Sequence, residues 1–232
     1  MEIQRESMEY DVVIVGAGPA GLATSIKLKQ INPDLNVCIL EKGSEVGAHI
    51  LSGNVFETRA LDELIPDWKE KGAPIKTKVR KEKFLFLGKK SSISWPTWLL
   101  PSVQKNHKNY IISLANLCRW LAEQAEGLGV EIFPGFAASK IIYDEDEKII
   151  GVQTGDMGID KEGNKKDSFE PGLNIMAKVT VFSEGCRGHL GKEVIKKYKL
   201  DNNKSPQQYG IGFKEIWEIP EDQHDEGLVM HT

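Results

Sequence analysis

The chain has 232 residues, 40% hydrophobic and 28% charged, with a formal net charge of −4. That is the composition of an ordinary globular protein with enough chain for one large core or two modest ones. An acidic balance of this kind disfavours nucleic acid as a partner, and no run of about 18 uncharged apolar residues is present to cross a bilayer as a helix.

The first ten residues, MEIQRESMEY, mix both charges and lack an apolar run. They read as neither a secretory signal nor an Arg/Ser-rich transit peptide, so a reducing cytoplasmic address is the expectation. Cys38, Cys118 and Cys186 lie far apart, with no CxxC pair, so no zinc or iron–sulfur ligand set is legible. Cys38 sits within an apolar strand and Cys118 on an apolar helix stripe, which reads as core packing.

Tyr10–Ala23 reads YDVVIVGAGPAGLA. A short Val/Ile run suits a strand buried on both faces of a parallel sheet. It leads through Gly16-x-Gly18-x-x-Gly21 into a helix over 22–30. Gly16 permits a tight turn, Gly18 admits a diphosphate to the backbone, and Gly21 lets helix and strand pack closely. The next apolar run, NVCILEKG, places Glu41 at its tip, where a carboxylate accepts hydrogen bonds from a ribose diol. Glu41 would repel a 2′-phosphate, which disfavours NADP and leaves NAD or the ADP half of FAD. The form GAGPAGL followed by LEKG resembles the FAD-binding start of the large flavoprotein group that includes glutathione-reductase-like and hydroxylase-like enzymes.

Glu45–Asn54 is a glycine-punctuated loop, and a short helix is predicted over 58–65, stopped by Pro66. Charge then becomes uneven. Residues 67–108 carry eleven Lys/Arg against three acids, a net of +8, and the rest carries nineteen against thirty-one, a net of −12. Within the basic segment, Phe84–Leu87 and Trp95–Leu100 flank a turn-rich GKKSS, which predicts a hairpin. An amphipathic helix over 109–126 follows from the spacing of Ile111, Leu114, Cys118, Leu121, Ala125 and Leu128, with Gly127 and Gly129 to end it. Strands are expected at 130–133, 139–143, 149–154 and 179–182. A polar loop is expected over 156–174, a basic helix over 192–199 and a strand over 209–219.

Several stretches together resemble the electron transfer flavoprotein–ubiquinone oxidoreductase family, from about Tyr10 onward. They are VVIVGAGPAGLA, EVGAHILSG, LDELIPDWKEKGAP, NHKNYIISLANLCRWLAEQAEGLGVEIFPGFAA, FSEGCRGHLGKEVIKKY and QQYGIGFKEIWEI. The resemblance implies an α/β fold: an FAD-binding Rossmann-like domain of glutathione-reductase type with an inserted, incomplete β-rich quinone- and membrane-contact domain. The expected division is 1–75 and 109–200 for the FAD domain, 76–108 for the membrane hairpin, and 201–232 for the start of the quinone domain. The chain reads as an N-terminal portion of a longer protein.

The resemblance also implies a set of site residues. Gly16, Gly18 and Gly21 would hold the pyrophosphate of FAD, and Glu41 with Lys42 the adenosine side. Gly47, Ser52 and Gly53 would carry a loop along the cofactor toward the flavin, although Gly47 and Gly53 also suit a plain turn. Ala137 would lie near the adenine, and Gly185 would pack against the cofactor, preceded here by Glu184. His49 reads either as a flavin neighbour or as a surface histidine, and Arg187 either as a cofactor contact or as a helix-capping or ion-pairing residue. Phe84, Phe86, Trp95, Trp98, Leu99 and Leu100 would form the membrane contact. Amphipathic tryptophans suit an interface, and neighbouring lysines suit an anionic leaflet.

The implied function is relay of electrons from electron transfer flavoprotein through FAD to ubiquinone, at the cytoplasmic face of a bacterial inner membrane. Such a relay depends on distance and potential more than on a side-chain acid or base, so no catalytic residue is assigned. The family's 4Fe-4S cluster would need cysteines that this chain lacks. Two alternatives remain: a geranylgeranyl-reductase-like or hydroxylase-like flavoenzyme, and a non-catalytic FAD- and membrane-binding fragment.

Overall fold

The computed structural model describes residues 4–50 and 53–232. In chain order the elements begin with β1 (Ser7–Val15), α1 (Pro19–Ile31), β2 (Val37–Glu41), β3 (Asn54–Phe56), α2 (Arg59–Leu64), β4 (Thr77–Lys78), β5 (Lys81–Leu87) and β6 (Ser92–Trp95). They continue with β7 (Tyr110–Ile112), α3 (Leu114–Gly127), β8 (Glu131–Pro134), β9 (Ala138–Tyr143), β10 (Ile149–Thr154) and β11 (Met157–Ile159). Last come β12 (Lys165–Glu170), β13 (Asn174–Phe182), α4 (His189–Tyr198) and β14 (Leu228–His231). Two compact units result, one of residues 1–50 with 118–210 and one of residues 51–117 with 211–232. The first stretch of the first unit thus ends at Ile50, where the sequence led to an expected boundary at 75.

The first unit is built on a six-stranded sheet in the order β8-β2-β1-β13-β10-β9. β8, β2, β1 and β13 run parallel, and β10 and β9 are antiparallel. β1 lies between β2 and β13, with α1 over one face and the core around Leu190 over the other, and Val13 and Ile14 are fully buried. That position is why the sequence needs a continuous Val/Ile run rather than an alternating one. Tyr10, Val13, Val15, Cys38, Leu40, Val152, Ile175 and Leu190 form the core on one face. On the other face α1 rests close to β1, with the Cα of Gly21 beside Ile14.

α1 starts with Pro at its first position, where the missing N–H costs nothing, and stops at Asn32 before Pro33. Lys29 is buried yet satisfied, donating to the carbonyls of Pro33 and Leu35. Both buried thiols, Cys38 and Cys118, are pushed up to about 12 by burial, with further contributions from Glu131 and Glu41 respectively. They are inert packing residues.

The second unit holds two three-stranded sheets, β3-β7-β4 and β14-β5-β6. β5 and β6 form the hairpin expected around GKKSS, with Phe84 opposite Trp95 and Phe86 opposite Ile93. Three expectations are corrected here. Residues 110–112 form β7, not the first turn of a helix, because Ile111 and its neighbours pair with both β3 and β4. The loop expected over 156–174 contains the β11–β12 hairpin. Residues 209–219 form no strand, and Tyr209, Ile211, Phe213 and Trp217 stand exposed. No described helix is long and apolar enough to cross a membrane.

Candidate functional site: a dinucleotide cleft

The C-terminal ends of β1, β2 and β13 meet at one cleft of about 630 Å³. Val15, Leu40 and Phe182, the last apolar residues of those strands, lie in its wall. β1 is flanked on its two sides by β2 and β13, the arrangement at which an open α/β sheet forms a ligand crevice.

The glycine turn forms one side of this cleft. Gly16 adopts φ +107°, and a Cβ on it would stand 2.6 Å from the carbonyl oxygen of Ser183. A Cβ on Gly21 would stand 2.1 Å from the carbonyl oxygen of Gly16, so Gly21 serves the close packing of α1 on the turn. Gly18 is different: nothing lies within 4 Å of the place its Cβ would take. Gly18 caps α1 without any side-chain cap, and the first turn of α1 holds no acid. An open glycine at an uncapped helix end is the cradle a diphosphate needs, because the first-turn N–H groups point outward and the helix dipole favours an anion.

Glu41 lines the cleft at the tip of β2. One of its oxygens accepts the Ala17 N–H at 2.9 Å and the other the Gly43 N–H at 2.7 Å. Its carboxylate thereby ties the glycine turn to the following loop, and each oxygen keeps a second lone pair for a sugar hydroxyl. The loop itself is held at 2.7 Å by the Gly135 N–H donating to the Gly43 carbonyl, and by Arg119 on Glu45 at 2.8 Å.

Of the residues expected from sequence, Gly16, Gly18, Glu41, Lys42, Gly47, Ala137 and Gly185 all line this cleft, and Gly21 lies under its floor. His49 and Arg187 line it as well, and the Arg187 guanidinium lies 5.2 Å from the Tyr209 ring. Gly53 is not in the lining; it belongs to the second unit, just before β3. Ser52 lies outside the described residues. Sequence reading did not single out Ser183, Gly188 or His189, which complete the wall beside Gly185. The spacing Gly185, Gly188, Gly191 around Glu184 was the available signal.

In the hairpin, Phe86, Trp95, Trp98 and Leu99 are exposed and Phe84 is half-buried. Leu100 is the exception among the expected contact residues. It is only 9% exposed, just after the short 3-10 turn Thr97–Leu99. Leu87, Ile93 and Val103 are exposed in this region instead, Val103 at 90%. Among the described residues no group of three or more His, Cys, Asp or Glu is placed to hold a metal ion.

The Thi4 family model matches residues 1–63, from the first βαβ unit into α2. Electron transfer flavoprotein-ubiquinone oxidoreductase of Pseudomonas aeruginosa is 56% identical over 99% of this chain. The mitochondrial electron transfer flavoprotein-ubiquinone oxidoreductase of Arabidopsis thaliana is 53% identical over 100% of it. The chain is a homologue of the electron transfer flavoprotein–ubiquinone oxidoreductases. It spans 43% and 37% of the length of these two relatives, about two-fifths.

Solved structures share the fold at low identity. A geranylgeranyl bacteriochlorophyll reductase-like protein of Thermoplasma acidophilum superposes with a TM-score of 0.55 at 21% identity, over 76% of this chain and 39% of that one. The flavin-dependent brominase Bmp2 also gives 0.55, at 18% identity, over 81% and 41%. The fold is thus the Rossmann-type fold of flavin-dependent enzymes, as expected from the sequence.

Proposed function

We propose that this chain is the dinucleotide-binding part of an FAD-dependent oxidoreductase that takes electrons from electron transfer flavoprotein and passes them to ubiquinone. The observation that carries the reading is 56% identity, over 99% of the chain, to a relative bearing that activity as its name. The cleft is chemically suited to it, with an open Gly18, an uncapped α1 and an acid at the tip of β2.

Bound FAD would supply the redox chemistry, since a flavin holds one or two electrons. The protein's own residues would bind and orient. The α1 N–H groups would take the diphosphate and Gly18 would leave it room. Glu41 would accept from the adenosine ribose, with Lys42 beside it. Gly47 would let the following loop run along the cofactor, with His49 in its wall. Ala137 would border the adenine, and Gly185 would close the opposite wall. None of these residues is asked to act as acid or base.

The hairpin suits a peripheral contact with the cytoplasmic face of a bacterial inner membrane. Phe86, Trp95, Trp98 and Leu99 would enter the interfacial layer, while Lys89 and Lys90 at the turn would meet anionic headgroups. A 4Fe-4S cluster, where the longer protein carries one, would draw its cysteines from outside this chain.

Two measurements test the reading. Titration of the 232-residue chain with FAD should quench flavin fluorescence, weakly but saturably. A polypeptide of the relatives' full length that includes this sequence should reduce ubiquinone when supplied with reduced electron transfer flavoprotein. Failure of the longer protein in that assay, together with oxidation of NAD(P)H, would overturn the assignment.

A further inference from the structure

Two helix N-termini open onto the dinucleotide cleft, and the chain treats them differently. α1 begins at Gly18 and Pro19 with no side-chain cap, which leaves its first-turn N–H groups to a ligand. α4 begins at Gly188 and His189, both in the cleft wall. Its N–H groups at Leu190 and Gly191 donate to the two carboxylate oxygens of Glu184, at 3.2 and 2.7 Å.

Glu184 is not the cap residue of α4. It reaches the helix from the end of β13, across the turn of residues 185–188, and its side chain is only 10% exposed. Two glycines make room for it. A Cβ on Gly188 would lie 2.4 Å from the Cβ of Glu184, and one on Gly191 would lie 3.3 Å from Oε2. His189 Nδ1 stands 3.3 Å from Oε1.

We propose that Glu184 is a positioning and specificity residue for the dinucleotide: its seated carboxylate satisfies the α4 N-terminus, leaving α1 as the one diphosphate-accepting end. The inference rests on the reading of this cleft as an FAD site. The physical reason is electrostatic. Both helix ends carry partial positive charge, so without Glu184 an anionic diphosphate would find two competing positions along one cleft. The same carboxylate pins the 185–188 turn, which holds Arg187 and His189 in the cleft wall.

The test compares FAD binding and thermal melting for the parent chain, E184A, E184Q and E193G. Glu193 is exposed on α4 and outside the cleft lining, so glycine there weakens the helix without touching the site. E184A should weaken FAD binding by about tenfold or more, and E184Q, which keeps one acceptor, by less. E193G should melt earlier yet bind FAD within about twofold of the parent. Parent-like binding by E184A, or an equal loss in E193G, would overturn the proposal. A parent chain that binds no FAD would instead remove the reading on which it rests.

Discussion

Val12–Val15 in β1 and Phe84–Leu87 in β5 are apolar runs of the same length, and they end in opposite environments. Val13 and Ile14 are fully buried, whereas Phe86 is 55% and Leu87 64% exposed. Both strands have a neighbour on each edge: β2 and β13 for the first, β6 and β14 for the second. What differs is the cover on the faces. β1 has α1 on one side and the Leu190 core on the other. In the hairpin, Phe84 with Phe86 and Phe86 with Trp95 meet edge to face, at 5.9 and 6.0 Å, and leave much of their area open. An apolar run therefore specifies a strand, and its surroundings determine whether the run becomes core or contact surface. An exposed aromatic face rimmed by lysines is the kind of patch that marks an interaction site.

The largest expected contrast is in stability. Ile14→Ala should cost about 2–5 kcal/mol, because a fully buried side chain leaves a cavity. Ile93→Ala, at a site 71% exposed, should stay within about 0.5 kcal/mol. Denaturant unfolding of the two variants checks this, and a comparable cost at Ile93 would mean that the hairpin face is covered in solution.

A second effect separates stability from surface binding. Trp95→Ser with Trp98→Ser should reduce co-sedimentation with vesicles of anionic phospholipid by about tenfold, since aromatic side chains at the interface and nearby lysines supply the attraction. Trp98 is 75% and Trp95 43% exposed, so the melting temperature should fall less than in Ile14→Ala. Unaltered vesicle binding in the double variant would remove the hairpin from the membrane.

The smallest effect probes the margin of the buried sheet. Arg5 donates to Asp156, and the Gly172 N–H donates to the same carboxylate at 2.8 Å. These bonds hold Asp156 at about 2, against an ordinary 3.8. The sign follows from the lowered value. The stabilisation is complete above the ordinary value and is lost as the pH falls through the lowered one. Melting curves of the parent and Arg5→Ala should therefore differ at about pH 5 and converge toward about pH 2. A constant difference across that range would assign the effect of Arg5 to packing.

Much of the first unit was legible in the chain. Gly16, Gly18 and Gly21 answer local steric demands, and local demands are written in local sequence. Glu41 was legible from its distance along the chain, because one strand and one helix have nearly fixed lengths. Glu184 was visible only as a departure, since its role depends on Gly188 and Gly191 being near it in space. The strand over 110–112 was missed because its helical periodicity is real, but pairing with β3 and β4 outweighs propensity in so short a segment. The burial of Leu100 was not legible for a related reason: where a tight 3-10 turn ends, adjacent residues point in different directions, and Leu99 is exposed where Leu100 is buried.

The sequence by itself determined the dinucleotide turn, the acid at the tip of β2, the aromatic hairpin and the kinship to electron transfer flavoprotein–ubiquinone oxidoreductases. These are properties of short, contiguous stretches, set by backbone sterics, strand and helix length and local charge. Only the tertiary structure decided which strand ends share one cleft, which of its two helix ends is already occupied by a carboxylate, and which apolar side chains of the hairpin stand exposed. Each of those depends on groups far apart in the chain meeting in space, and no local pattern encodes such a meeting.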